Sequence, residues 1–319
     1  MTGAPPRLVP AARLLDPAGA GGPPEGSVPA GVRGIAGLLA HRLATDPARP
    51  LVTFYDDATG ERVEFSAVTF DNWVAKTANM LVDTLGLGAG DRIGIDLPTH
   101  WLGLVIPLAG WSAGLEVVLA VADENGGAGA LAAGSTLPPT TRLGALFVAE
   151  DRLDATAELV VDETVALSLR PLGGRMPRPI AGVLDYSVEV PAHGDRFNPP
   201  PPPPEQVELL RAGARIAAAW GLGPADRVLS TAPLASAEGL LGGLLAPLVA
   251  GASVVLCRHL APAALTRRIE SERVTTIAAA PVAAGGTVGA GPEEAGVPGA
   301  APPALAGPSA RTLRLPRLG

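Results

Sequence analysis

Few side chains in this sequence are of the kind that make or break bonds, and each stands in a context that narrows its chemistry. Gly110-Trp111-Ser112-Ala113-Gly114 matches the G-x-S-x-G pattern, in which a strained strand-to-helix turn exposes a nucleophilic serine. Here the apolar run before Ser112 reads as a helix and the Val-Val pair after it as a strand. The order is reversed, so the strain that presents such a serine is missing, and a serine hydrolase acting through Ser112 is kept only as a third reading. Gly127-Ala128-Gly129-Ala130-Leu131-Ala132 resembles a dinucleotide fingerprint, with Glu150 about where a ribose-binding acid would sit. However, Ala122 to Asn125 separate it from the preceding strand, and Pro138-Pro139 leave little helix to face a pyrophosphate. It reads as a loop.

The remaining candidates are scattered. Cys257 and His259 alternate on one strand, but two ligands without a third do not make a metal site. His100 follows a strand-end proline, the edge at which open α/β sheets bind ligands, but the plainer reading, a loop histidine of no special role, is preferred. Asp56-Asp57 and Glu293-Glu294 fall in a hairpin turn and near the C-terminus, and read as solvated. Lys76, the only lysine, lies inside an amphipathic helix, so a mechanism needing lysine elsewhere has none. Cys257 is the only cysteine, which excludes an internal disulfide and a multi-cysteine zinc site and fits a reducing, cytoplasmic setting. A formal net charge of −7 provides no electrostatic footprint for nucleic acid.

The elements that position these residues are organised around a stretch that occurs twice. Gly86, Gly88, Asp91, Arg92 and Pro98 have the same mutual spacing as Gly221, Gly223, Asp226, Arg227 and Pro233. Each copy continues through an apolar run to Gly114 or Gly251, and then to Val-Val-Leu. The unit reads as turn, buried strand, loop, buried helix, glycine stop and second buried strand, which makes two βαβ units in an α/β protein. Residues 97–115 and 239–257 are each uncharged and long enough to suggest a membrane span. The internal glycine and β-branched pair divide each into a helix and a strand, so no span is expected.

Around these units the chain divides as follows. Residues 1–31 carry Pro and Gly without an apolar period or the apolar block of a signal peptide, and are expected to be disordered. A first α/β subdomain is expected over 32–190. It holds a helix with Ile35, Leu38, Leu39 and Leu43 on one face, a hairpin of residues 51–55 and 61–65, and a helix over 70–85 capped by Thr69 and stopped by Gly86. Residues 191–205 are expected to be a linker, in which Pro199 to Pro204 favour polyproline II, a semi-rigid spacer of roughly 19 Å, with a recognition site for a proline-binding module as the minor alternative. A second α/β subdomain is expected over 206–282, and a disordered Gly/Ala/Pro tail over 283–319.

The order helix, hairpin ending in ERVEFSAVTFDNW, helix, GLGAGDRIGIDLPTHW, apolar helix and AGLEVVLA resembles the N-terminal region of the adenylate-forming, acyl-CoA synthetase-like superfamily. GLGPADRVLSTAPLASAEGLLGGLLAPLVAGASVVLC, followed by a helix and SERVTTIAAAP, is similar to that family's next α/β layer. The resemblance implies two βαβ-type layers like the N-terminal subdomains of acyl-CoA synthetases, in truncated form. It covers roughly residues 35–120 and 206–282, and comes close to a group of uncharacterised actinobacterial proteins matching only that region. It also implies ATP or AMP, or CoA, as cofactors, and an acyl or nucleotide pocket at the strand ends near Pro98, Thr99, His100, Trp101, Pro233, Ser236, Glu238 and Gly239.

The departures from the family pattern bear on activity. The family's Ser/Thr/Gly-rich phosphate loop and its lysine fall where this chain has HGDRFNPPPPPPEQVELLRAG, and proline provides no N–H for a phosphate cradle. The Pro-Leu-Phe-His segment is replaced by Pro233-Leu234-Ala235-Ser236. No Thr-Gly-Asp or C-terminal lysine segment follows. The leading expectation is a non-catalytic protein binding a small acyl or nucleotide ligand or a partner protein, with no catalytic residue assigned. The alternative is an AMP-forming acid–thiol ligase, either divergent or completed by a separate chain.

Overall fold

The computed structural model describes residues 7–15, 26–121, 137–138 and 140–279 and the backbone of residues 311–314. Its first strand corrects the expectation of disorder over 1–31. Residues Arg7–Pro10 form β1, with Leu8 and Val9 buried, and run on into a 3-10 turn at Ala11–Leu15. The apolar face read from the sequence becomes helix α1 (Gly34–Thr45), which buries Ile35, Leu38 and Leu39. Strands β2 (Pro50–Asp56) and β3 (Glu61–Ser66) form the expected hairpin, closed by Gly60 at φ +74°. Helix α2 (Ala67–Asn79) starts earlier than expected because Ser66, and not Thr69, caps it. The Ser66 Oγ accepts from the Thr69 N–H at 3.2 Å. The helix widens into a π-helical turn at Met80–Thr84 and ends at Gly86, whose φ of +65° a side chain would resist.

The two repeat units are built alike. Gly88 N donates to Asp91 Oδ2 at 2.8 Å, and Gly223 N donates to Asp226 Oδ2 at 2.8 Å, so the same side-chain closure starts both. The first unit is β4 (Arg92–Asp96), the wholly buried α3 (Leu102–Ser112) and β5 (Glu116–Val121). Strands β6 (Leu143–Ala149), β7 (Val161–Leu167) and β8 (Val183–Asp185) follow, then the short helix α4 (Tyr186–Glu189). Helix α5 (Glu205–Ala219) leads into the second unit. That unit consists of β9 (Arg227–Ser230), a helix that is π-helical over Glu238–Leu245 and continues as α6 (Ala246–Ala250), and β10 (Ser253–Arg258). Helix α7 (Leu265–Ser271) and β11 (Thr276–Ala279) come next. Of the 283–319 tail only β12 (Arg311–Arg314) is described, antiparallel to β11, and the rest of that expectation lies outside the described residues. Among the described residues no helix is long and apolar enough to cross a membrane.

Two six-stranded, mostly parallel sheets result, ordered β1-β5-β4-β6-β7-β8 and β12-β11-β9-β10-β2-β3. Helices α1, α2, α3, α5 and residues 238–250 pack on one another between them. Helix α3 lies against β4 and β5, while α2 lies against β2 and β3, and one aliphatic core therefore runs through the middle. Sheet membership does not follow the expected division into 32–190 and 206–282. The hairpin of the first segment pairs in the second sheet, β2 running parallel to β10 from Val52 with Val254 to Asp56 with Arg258.

The segment 191–205, expected to be a spacer, is docked on this body. Lys76 Nζ reaches Asp195 Oδ1 at 2.6 Å, and Asn79 Nδ2 donates to the carbonyls of Gly194 and Arg196, each at 2.9 Å. At the other end the buried Gln206 accepts from Ile35 N at 2.8 Å and donates to Trp111 O at 2.7 Å.

Candidate functional site

The loops leaving β4 and β9 bring the two repeat units face to face. Pro98, Thr99, His100 and Gly103 form one wall of a cleft, and Ser230, Ala232, Leu234, Gly239 and Gly243 form the other. Glycine is required on the second wall. A Cβ at Gly239 would lie 1.9 Å from the Pro233 carbonyl oxygen, and one at Gly243 would lie 2.9 Å from Ser230 Oγ. The cleft measures about 10 Å³, room for one water-sized group, so a larger ligand has to part its walls.

His100 is 3% exposed, with its ring edge-on to Phe54 at 4.8 Å between centroids. Its Nδ1 accepts from Leu102 N at 3.2 Å, so in the neutral ring the proton sits on Nε2, which has no hydrogen-bond partner among the described residues. Burial, reinforced by the Arg258 charge, pushes the imidazole pKa down to about 3. At neutral pH His100 therefore offers a fixed N–H donor and is a poor proton acceptor. Ser230 Oγ is fully buried and likewise unpartnered among the described residues. A donor and a hydroxyl, both short of a partner, suit a ligand carrying an oxygen acceptor.

Of the eight pocket candidates read from the sequence, Pro98, Thr99, His100 and Gly239 line this cleft. The others serve its frame. Trp101 packs on Phe65 and Trp73 with centroids at 4.6 and 5.2 Å. Ser236 Oγ donates to Pro233 O at 2.7 Å and accepts from Gly239 N at 3.0 Å, holding the turn that starts the π-helical segment. Glu238 opens that segment, with Oε2 buried and unpartnered among the described residues. Ser230 was not read from the sequence, because a serine ending an apolar strand carries no distinguishing spacing.

Ser112 is the last residue of α3, 5% exposed, on a hollow of about 210 Å³ shared with Asp71 and Phe197 that no histidine lines. It lacks the strand-to-helix elbow, and among the described residues no histidine or carboxylate is hydrogen-bonded to its hydroxyl. The glycine fingerprint at 127–132 lies outside the described residues. Cys257 and His259 do not converge. The thiol, raised by burial, accepts from Arg268 Nη1 at 3.7 Å, and His259 Nδ1 meets Asp56 Oδ1 at 2.8 Å. Among the described residues no cluster of three metal-ligating side chains occurs.

The reading of Asp56-Asp57 as solvated is corrected. Asp56 is 4% exposed, and Asp57 Oδ1 takes Arg268 Nη2 at 2.7 Å while Oδ2 accepts from Ala261 N at 2.8 Å. The Arg268 guanidinium holds the Asp57 carboxyl below its usual range and stacks on the Tyr55 ring at 3.8 Å. These bonds tie the hairpin to β10 and α7; they are structural.

A family model described as AMP-binding enzyme matches residues 207–304. A TIGR03089 family protein of Mycobacterium tuberculosis is 41% identical over 246 residues, 75% of this chain and 96% of that protein. A protein named sulfoacetate–CoA ligase from Cupriavidus necator is 29% identical over 248 residues, 70% of this chain and 44% of the ligase. Among solved structures, a Brucella canis acyl-CoA synthetase superposes with TM-score 0.57 at 18% identity, covering 83% of this chain and 49% of the synthetase. The acetoacetyl-CoA synthetase of Streptomyces lividans gives 0.54 at 19% identity, covering 76% of this chain and 41% of that enzyme. The chain thus spans about half the length of the synthetases whose fold it shares.

Proposed function

The chain belongs to the TIGR03089 family within the AMP-binding, acyl-CoA synthetase-like superfamily, and from that premise we propose that it is a non-catalytic binding protein that takes a small acyl or nucleotide ligand at the cleft between its repeat units. One observation carries the reading. The interval that resembles the position of the superfamily's phosphate loop is here a tract of prolines, and it is packed in place. Pro200 Cγ lies 3.5 Å from where a Gly114 Cβ would be, and Pro202 Cβ 2.5 Å from where a Gly34 Cβ would be. Adenylyl transfer is driven chiefly by N–H donors and fixed positive charge aimed at phosphates. A docked run of residues without N–H cannot rearrange into such a cradle.

The ligand side of the proposal rests on His100 Nε2 and Ser230 Oγ, which would pair with an oxygen acceptor once the cleft opens. The test has two arms. In a thermal-shift screen of carboxylic acids, nucleotides and CoA esters, one class should stabilise the protein, by ~2.7 kcal/mol at 100 times its Kd. His100→Asn should remove that shift. In carboxylate-dependent ATP–pyrophosphate exchange no acid should support turnover. Exchange with any acid, abolished by Arg196→Ala or Arg211→Ala, would instead establish a divergent ligase that has rebuilt its charge from arginines. A screen without any stabilising ligand would remove the binding half.

A further inference from the structure

The proline tract is bound to the body chiefly along one edge, and Pro202 also touches it from the side, at Gly34. Phe197, Pro200 and Pro203 are half-buried and Gln206 is buried, whereas Asn198, Pro199, Pro201, Pro202 and Pro204 are exposed. An inward residue at every third position is the signature of a polyproline II helix lying on a surface, since that helix has three residues per turn. The other two edges stay largely exposed and carry the pairs Asn198-Pro199 and Pro201-Pro202 side by side, with Pro202 touching Gly34 and Pro199 on the rim of the hollow beside Ser112. Among the described residues no backbone amide donates to the carbonyls of Pro199 to Pro202, which leaves them as acceptors for an incoming donor. Arg196 stands three residues before Pro199, one turn away on the same edge. It is exposed and forms no ion pair with a described residue.

We propose that this docked rod is a recognition surface for a partner protein bearing an aromatic-lined, acidic proline-binding groove. Such grooves take two successive X-Pro pairs from a polyproline II helix between aromatic rings, with Tyr or Trp donors to its carbonyls and an acidic pocket for a flanking arginine. Arg196, Pro199 and Pro202 have that spacing, and the edge the body covers most fully, that of Phe197, Pro200 and Pro203, is the one a groove leaves untouched. Docking also fixes the rod before the partner arrives. The anchors from Lys76, Asn79 and Gln206 hold both ends, so a partner orders nothing new on binding. This inference is independent of the ligand cleft, which lies between the two repeat units.

The test titrates an SH3 domain that selects arginine-flanked ligands against the full chain and against a free peptide of residues 193–207. The full chain should bind at least as tightly as the peptide, because its helix is already formed. Arg196→Ala should weaken binding about fivefold or more without changing the melting temperature, and the loss should shrink at high salt. Pro199→Ala with Pro202→Ala should abolish binding. Pro201→Ala, on the outermost edge, provides a second variant should that pair unsettle the packing on Gly34. If the probe binds the peptide but not the protein, the rod is occluded and the proposal fails. It fails equally if neither binds, or if binding survives Arg196→Ala and Pro201→Ala together.

Discussion

His100 sets a testable acid limit on the fold. Its pKa is about 3 in the folded protein against 6.5 for a free imidazole, so protons prefer the unfolded chain. The stability associated with the neutral ring is complete above pH 6.5 and is lost progressively as the pH falls from 6.5 towards 3. Between about pH 7.5 and about pH 5 this single group should remove about 2 kcal/mol of unfolding free energy. Urea denaturation of wild type and His100→Asn at both pH values measures it, since asparagine keeps an acceptor for Leu102 N and does not titrate. Equal pH slopes in the two proteins would show that His100 is solvated. Ser112 supplies the complementary case of a residue whose motif promises more than its site delivers. Buried at a helix end with no histidine in its hollow, it should not react with a fluorophosphonate probe, and Ser112→Ala should leave any esterase background as it is. Stoichiometric labelling at Ser112 would make the hydrolase reading primary.

At the scale of elements, the joint between α1, α3 and α5 depends on Gln206. Its amide accepts from Ile35 N, which no other described residue satisfies, and donates to Trp111 O, which also accepts from Gly114 N at 3.1 Å. Gln206→Leu would leave Ile35 N buried without a partner and should cost roughly 2 kcal/mol in chemical denaturation. Glu208→Ala, on the exposed face of the same helix, should cost less than about 0.5 kcal/mol. A loss for Gln206→Leu no larger than for Glu208→Ala would mean that water replaces the amide. The elements readable from sequence were those whose signals are local. Gly88 with Asp91 and Gly223 with Asp226 close turns within four residues, and Gly114 and Gly251 stop helices at φ +78° and +69°. Strand β1 escaped because its four residues find their partner in β5, more than a hundred residues on, and leave no period of their own. Asp56-Asp57 was misread for the same reason, its partners His259 and Arg268 lying some 200 residues away. Part of the cleft between the repeat units was legible because Pro98 to His100 and Gly239 follow the strand ends of a visible repeat, whereas Ser230 becomes conspicuous only when Gly243 is seen against it.

The molecule as a whole is not two halves joined by a spacer. Strand β10 sits inside the second sheet with β9 on one side and β2 on the other, so the later part of the chain cannot complete its sheet without a strand from the earlier part. Side chains reinforce the exchange. Arg227 at the start of β9 donates to Thr53 Oγ1 on β2 at 2.7 Å, and Glu272 after α7 bonds both Tyr55 of β2 and Arg62 of β3. Without β2 and β3, the edge of β10 would present unpaired N–H and C=O groups beside Val254 and Leu256, a template for aggregation. A protease site inserted at the exposed Pro201 tests this directly. The nicked protein should keep both fragments together on size exclusion and melt within about 5 °C of the intact chain, because the anchors on either side of the cut are independent of it. Separated in urea and returned to buffer alone, neither fragment should regain a cooperative transition, and mixing the two should restore it. Independent refolding of the fragment that begins at the cut would show that the second sheet closes without the hairpin, and would return the proline tract to the role of a boundary between separable domains.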